Sequence, residues 1–466
     1  MKFPYQLTLP GILVFSLSTG VFVNQPSVAA VKVEIAETMT AEDLFSEGME
    51  LFEQERYEEA IASFEKAVEI KPNYYQAWYL HGVVLDMSGK FSEALVSLDK
   101  AIEIKADFHY AWNSRGIVLN NLEKYEEAIA SYNKALEIKP DYYQAWYGQG
   151  NALYKLEDYQ QAVASFDKAL EIKPDYYQAW YRRGIALYEL EDYQQAVASF
   201  DKALETKPDY HYAWDSRGNA LYKLKDYQQA VASFDKYLKV KPDDHVTWYN
   251  RAIALDNLEQ YEEAIASYDK ALEIVPNNFI AWYRRGISLD MVGNPSEALV
   301  SLNKAVEIKP DYHYAWYSRG IVLENLENYL EAVASFDKAV EIKPDYYQAW
   351  YRRGIALDMA GNPSEALVSL DKAIEITPNY YQAWNSRGIA LGNLGKHSEA
   401  LASFEKVLEI APNTYAAWNN RGIALKNLEQ YSEALASYDQ ALEIQPGYQA
   451  AINNRRILLE QLESRK

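Results

Sequence analysis

The sequence predicts an all-α fold: twelve helix pairs of 34 residues, stacked in line and closed by one further helix. Three observations carry this. The eleven tryptophans, from Trp78 to Trp418, stand 34 residues apart without exception. A glycine follows each of them by four residues, except where Ala252 replaces it. Eleven of the sixteen prolines keep the same step, Pro72 and then Pro140 to Pro446, with Ala106 where one is missing. A helix pair of this size cannot bury its apolar face alone, so neighbouring pairs must stack.

The elements follow in chain order. Residues 1–30 differ from the rest: a short start with one lysine, an apolar run from Leu7 to Val23, then small residues at Val28, Ala29 and Ala30. That pattern reads as a cleaved secretory signal. The alternative is a retained N-terminal anchor, although Pro10, Gly11 and Gly20 interrupt a run already short for a spanning helix. The expected location is therefore extracytoplasmic, such as the periplasm, with no integral span after cleavage. Residues 31–40 form a linker, and the repeats run over 41–448.

The unit Tyr177 to Tyr210 shows the pattern. In its first helix Trp180, Gly184 and Leu187 recur at helical spacing, and in its second Ala196, Phe200 and Ala203 do so. The stretch "LEDY" is the turn between them. Pro174 cannot continue a helix, and Asp175 after it reads as the N-cap of the next. Gly184 and Ala196 let the two helices approach closely, while Phe200 and its equivalents fill the space between units. At the end, residues 449–466 keep the register for one helix only. Ile452 takes the tryptophan slot and Arg456 the glycine slot, so this helix reads as a cap that faces water on its outer side.

With these slots filled, the chain resembles the tetratricopeptide repeat family across residues 41–448. The family's signature falls on Trp180, Arg183-Gly184, Leu187, Ala196, Phe200, Ala203 and Pro208. The resemblance implies a right-handed superhelix of helix pairs whose concave groove holds a peptide or protein. One departure is systematic. The slot before glycine, usually leucine in the family, is arginine in nine units: Arg115, Arg183, Arg217, Arg251, Arg285, Arg319, Arg353, Arg387 and Arg421.

Composition narrows the chemistry. The 466 residues carry a formal net charge of -21 and no cysteine. Thiolate chemistry, disulfides and cysteine-based zinc sites are excluded, and a nucleic-acid backbone is repelled at long range. No phosphate-cradling, zinc-protease or nucleophile-elbow motif occurs, so no enzyme activity and no cofactor are expected. "GQG" at Gly148 to Gly150 lies inside a helix and lacks a third glycine. His109, His211, His245 and His313 share one slot that is tyrosine in most other units, which makes exchange between aromatic side chains simpler than a metal site.

In the family, one face of the first helix lines the groove. In the fifth unit that face holds Gln178, Tyr181, Arg182, Ile185, Tyr188 and Glu189. Three features stand out. An arginine follows the Tyr181 slot only at Arg182, Arg284 and Arg352, the last beside Tyr351. The Tyr188 slot is tyrosine only at Tyr154, Tyr188 and Tyr222, which with Tyr147 and Tyr181 make an aromatic patch beside Asn151 and Asn219. Tyrosine offers contact area at little entropic cost together with a polar handle. Duplication of these three units would leave the same pattern. Asn219, Asn250 and Arg284 also match three of the five positions of the carboxylate clamp found in some family members; Asp215 and Ile280 stand where its lysines would be. The expected ligand is a protein or peptide segment. Tyrosine beside asparagine suits a glycan as well.

Overall fold

The computed structural model describes residues 39–464, and among them it contains twenty-five helices and no strand. The expected leader, residues 1–30, lies outside the described residues. Among the described residues no helix is long and apolar enough to cross a membrane.

The first helix, α1 (Ala41–Glu53), opens on a reciprocal cap. The Asp43 N–H donates to Thr40 Oγ1 at 3.1 Å, and the Thr40 N–H donates to Asp43 Oδ2 at 2.9 Å. Helices then alternate, a 13-residue first helix and a 14-residue second helix in most pairs, as in α2 (Tyr57–Ile70) and α3 (Tyr75–Met87). The first helices that matter below are α7 (Tyr143–Lys155), α9 (Tyr177–Glu189), α11 (His211–Lys223), α13 (His245–Asn257), α15 (Phe279–Met291), α17 (His313–Asn325) and α19 (Tyr347–Met359). The last helix is α25 (Gln449–Glu463). The chain divides into two compact units at Ala186 and Leu187, inside α9. Within each unit, every helix packs on its neighbours in chain order.

The glycine slot is a steric requirement. A Cβ on Gly218 would stand 2.5 Å from Cε1 of Phe234, and one on Gly150 would stand 2.6 Å from Cε1 of Phe166. Tyr132 fills such a space from two sides, against Gly116 and against Gly148 of the next pair at 2.5 Å. That contact accounts for "GQG" as packing. The alanine slot, including Ala162, Ala196 and Ala264, is fully buried.

The tryptophans do more than fill volume. Each indole N–H donates to the carbonyl six residues earlier, as Trp248 does to Pro242 at 2.9 Å. Trp112 makes the same bond to Ala106 at 2.9 Å, so the missing proline costs no acceptor.

The arginine before glycine joins successive pairs. Arg251 Nε donates to Asp235 Oδ1 at 2.7 Å on the preceding pair, and its Nη1 donates to Ser267 Oγ at 2.5 Å on its own. Its guanidinium carbon lies 5.8 Å from the Trp248 ring centroid. The Ser267 hydroxyl in turn donates to the Glu263 carbonyl at 2.8 Å. Where the slot holds Gln149, the acid is replaced as well: Gln149 Nε2 donates to Asn133 Oδ1 at 2.6 Å. Arg319 keeps its charge although its partner is neutral: its Nε donates to Asn303 Oδ1 at 2.6 Å.

Two local expectations are corrected or sharpened. Asp175 is not the N-cap of α9. The Tyr176 carbonyl accepts the first helical bond, from the Trp180 N–H at 3.2 Å, so Asp175 lies one residue too early. The turns between paired helices require a left-handed residue. Gly89, Gly293, Gly361 and Gly395 supply it in four turns, and eight others use Glu or Lys, such as Glu191 at φ 61. At the far end, Leu458 of α25 is fully buried, while Arg456 is exposed and pairs with Glu460 on the same helix at 2.9 Å.

Candidate functional site

In the second unit, the last turn of α9 together with α11 and α13 brings four of the singled-out side chains together. Tyr188, Asn219, Tyr222 and Asn250, with Lys223 and Ile253, line a pocket of about 230 Å³. Its aromatic walls are held from behind. The Tyr188 ring lies 5.2 Å from Tyr193, and the Tyr222 ring 5.4 Å from Tyr227, each on the same pair's second helix. Such rings lose little freedom when a ligand arrives.

The polar wall is an ordered chain of hydrogen bonds. Asn250 Nδ2 donates to Asn219 Oδ1 at 3.1 Å, and Asn219 Nδ2 donates to Asp215 Oδ2 at 3.1 Å. Thr247 Oγ1 donates to Asp215 Oδ1 at 2.9 Å. Asp215 thereby fixes which way both amides point. Burial raises the Asp215 carboxyl above the usual carboxylate range and the nearby Asp244 adds to this, while the bonds from Thr247 and Asn219 work against it. Asp244 is occupied as the side-chain cap of α13 and accepts from the Tyr237 hydroxyl at 2.7 Å. A clamp for a carboxylate would need cations here. The structure places the Asp215 carboxyl at the centre of the network, and Arg284 sits by Asp256 on the next pair.

The arginines after the tyrosine slot differ from one another. Arg352 Nη1 donates to Glu324 Oε2 at 3.1 Å. The Glu324 side chain is only 10% exposed, and its other carboxylate oxygen is buried with no partner. Burial pushes this carboxyl up to about 7 against the pull of Arg352. Among the described residues Arg284 makes no such ion pair; the fields of Tyr268, Tyr249, Tyr283 and, least, Asp256 keep it firmly charged against the cost of burial. Asp256 in turn accepts from Tyr268 and Ser288 at 2.6 Å each. Arg182 has no such acid: the slot that holds Asp256 and Glu324 in the other two cases holds Tyr154.

The remaining residues lie elsewhere. Tyr147, Asn151, Tyr154, Tyr181 and Arg182 belong to the first unit. Tyr147 is largely a packing residue, with its ring 5.0 Å from Tyr176 of the next pair. Tyr351 packs likewise on Tyr380 at 5.0 Å. His109, His211 and His313 stack on the following tyrosine at 4.0 to 4.1 Å, and burial lowers their pKa. Among the described residues no group of three or more His, Asp or Glu side chains is placed to hold a metal ion.

Sequence reasoning overlooked Thr247, yet a signal was present. Its slot, just before tryptophan, is alanine beside every other tryptophan, and its partner Asp215 is the single acid in its own slot. Two rare residues in adjacent units proved to be bonded. A second amide ladder near the end was missed as well. Asn420 Nδ2 donates to Asn385 Oδ1 at 3.3 Å, and Asn454 Nδ2 donates to Asn419 Oδ1 at 2.9 Å. A larger cavity of about 400 Å³, lined by Ile452, Arg455, Arg456 and Leu459 among others, lies on α25.

Family models described as tetratricopeptide repeat match residues 75–108, 109–142, 147–211, 211–244, 245–278, 267–300, 313–346, 347–380, 381–414 and 415–448, and a model described as TPR repeat matches 48–86. No curated protein matches the chain. Among solved structures, YrrB, described as a TPR protein with an unusual peptide-binding site, is 30% identical. Its alignment covers 41% of this chain and 97% of YrrB, with a TM-score of 0.37. The Cut9-Hcn1 hetero-tetramer structure aligns over 93% of this chain and 99% of the other at 14% identity and a TM-score of 0.41. MamA from Desulfovibrio magneticus RS-1 aligns over 36% and 96% at 24% identity and a TM-score of 0.35.

Proposed function

The chain belongs to the tetratricopeptide repeat family, and on that premise we propose that it is a non-catalytic scaffold holding an extended peptide segment across its first helices. The observation that carries this is the pocket of Tyr188, Tyr222, Asn219 and Asn250. Two pre-set rings offer apolar area to one ligand side chain, and two oriented amides offer a donor and an acceptor to the adjoining peptide unit. The leader-like residues 1–30 support display of the segment outside the cytoplasm.

Paired amides and tyrosines also present the chemistry a glycan needs, so the test sets the two ligands side by side. The purified chain is applied to a random-sequence peptide array and to a glycan array. Saturable peptide hits that Asn219→Ala and Tyr222→Ala each weaken about tenfold are expected. A saturable glycan hit without any peptide hit would overturn the reading.

A further inference from the structure

The hydrogen-bonding capacity of the pocket between Tyr188 and Tyr222 is lopsided. An asparagine side chain carries two N–H donors and one carbonyl oxygen. Asn250 spends one N–H on Asn219 Oδ1, and Asn219 spends one on Asp215 Oδ2, at 3.1 Å each. The other Asp215 oxygen is taken by the Thr247 hydroxyl. Each amide therefore keeps one N–H, while Asn219 Oδ1 already holds a bond. Among the described residues this leaves Asn250 Oδ1 as the one amide oxygen of the lining without a partner. Lys223, exposed on the same lining, adds an ammonium with three more donors and no acceptor. No carboxylate lines the pocket. The two tyrosine hydroxyls serve either way.

The apolar half is braced. Tyr193 and Tyr227 back the two rings, and Tyr222 and Ile253 also pack on the core around Leu221 and Leu255. At about 230 Å³ the cavity is smaller than the roughly 300–1,000 Å³ that enclose a drug-sized ligand, so it takes one side chain. Its occupant must be compact and apolar there, rich in acceptors and poor in donors. An ordinary residue brings one backbone N–H with each carbonyl, and a desolvated N–H without an acceptor is costly. A sugar hydroxyl likewise brings a donor with its acceptor lone pairs. Proline has no N–H, and an extended polyproline-type backbone makes no internal hydrogen bonds, so its carbonyls are open to donors. We propose that the pocket is a proline subsite. One pyrrolidine ring lies between Tyr188 and Tyr222, and the free N–H groups of Asn219 and Asn250 donate to carbonyls beside it. The N–H of the residue after proline donates to Asn250 Oδ1. This rests on the peptide-binding reading above and adds the chemical class of the segment: extended, with proline at one set position. The locked φ of proline also lowers the cost of ordering the ligand.

The test uses the full chain and three pools of N-acetylated, C-amidated octapeptides, alike at every position but one. That position holds proline, N-methylalanine or alanine. N-methylalanine also lacks the N–H but has no ring. The proline pool should bind about tenfold tighter than the alanine pool, with N-methylalanine between them. Tyr222→Ala should bring proline down to the level of N-methylalanine. Asn250→Asp exchanges donors for acceptors at nearly constant shape, and its proline and alanine pools should bind alike with helix content unchanged. Alanine binding as tightly as proline in the unaltered chain would overturn this subsite and leave the scaffold reading standing. So would a proline preference that survives Asn250→Asp, or one that N-methylalanine does not share at all. A lack of binding to all three pools would sink both readings.

Discussion

At the scale of single residues, the most loaded group is Glu324. Its carboxyl is buried, half-bonded and raised to about 7, against an ordinary carboxylate in the unfolded chain. The sign follows from proton counting. Below the ordinary carboxylate range both states hold the proton. Between that range and about 7 the native state holds it and the unfolded state does not, so stability falls as pH rises through this window. The effect is on the order of 2 kcal/mol once the partial exposure of Arg352 is allowed for. Glu324→Gln should therefore flatten the pH response. Hydrogen exchange in α17 and α19 at pH values near 5 and 8 would measure it, and identical pH responses in both proteins would show that Glu324 does not hold the proton. None of this was legible in the sequence, where Glu324 is one acid among many on an exposed-looking slot. Asp215 and Thr247 were more accessible, since each departs from its repeat. Of the five tyrosines expected as one patch, Tyr188 and Tyr222 line the pocket. The sequence could not show that Tyr147 and Tyr351 would be taken up in packing between pairs.

At the scale of elements, helix spans followed from the tryptophan, glycine and alanine slots because those residues answer steric demands that recur in every pair. The turns were less readable. Four use glycine at positive φ, but eight place Glu or Lys there, residues that carry no turn signal of their own. The Cβ of Glu191 at φ 61 works against the left-handed conformation. Glu191→Gly should relieve it, offset in part by the entropy that glycine loses on folding, for a net gain of about 0.5–1 kcal/mol. A higher denaturation midpoint for helices on either side of that turn is expected, and an unchanged one would mean that the turn is not strained. Asp175 was misplaced for a related reason. Pro174 and Asp175 look like a helix start, but the backbone makes a short turn first, and the Tyr176 carbonyl accepts the first helical bond.

At the scale of the whole molecule, stability is a sum of neighbouring interfaces. Trp350 lies among Ala339, Val340 and Ala349, donates to the Pro344 carbonyl at 2.9 Å and supports Arg353 on its ring. Trp350→Ala should cost about 3 kcal/mol there. It should speed exchange in α19 and the helices packed on it, while the amides of α1, α2, α3 and α7 stay as protected as before. A uniform loss across all helices in one sharp melt would show that the array behaves as a single cooperative block. The repeat count and the nature of the fold were plain from the sequence because the same solution is written twelve times. What distinguishes one repeat from another rests on single substitutions, and these needed coordinates. The arginine joint carries a consequence for descent. Its two partners lie sixteen residues before and after it, and for Arg217, Arg251, Arg285, Arg353 and Arg387 they are an aspartate and a serine. The stretch from Glu171 to Leu187 recurs without change from Glu341 to Leu357, five repeat lengths away. Recombination between these two copies would delete five whole pairs in frame, and Asp167 would meet Arg353 as Asp337 does now. A chain shortened or lengthened by five pairs at this stretch would carry no altered residue at the seam.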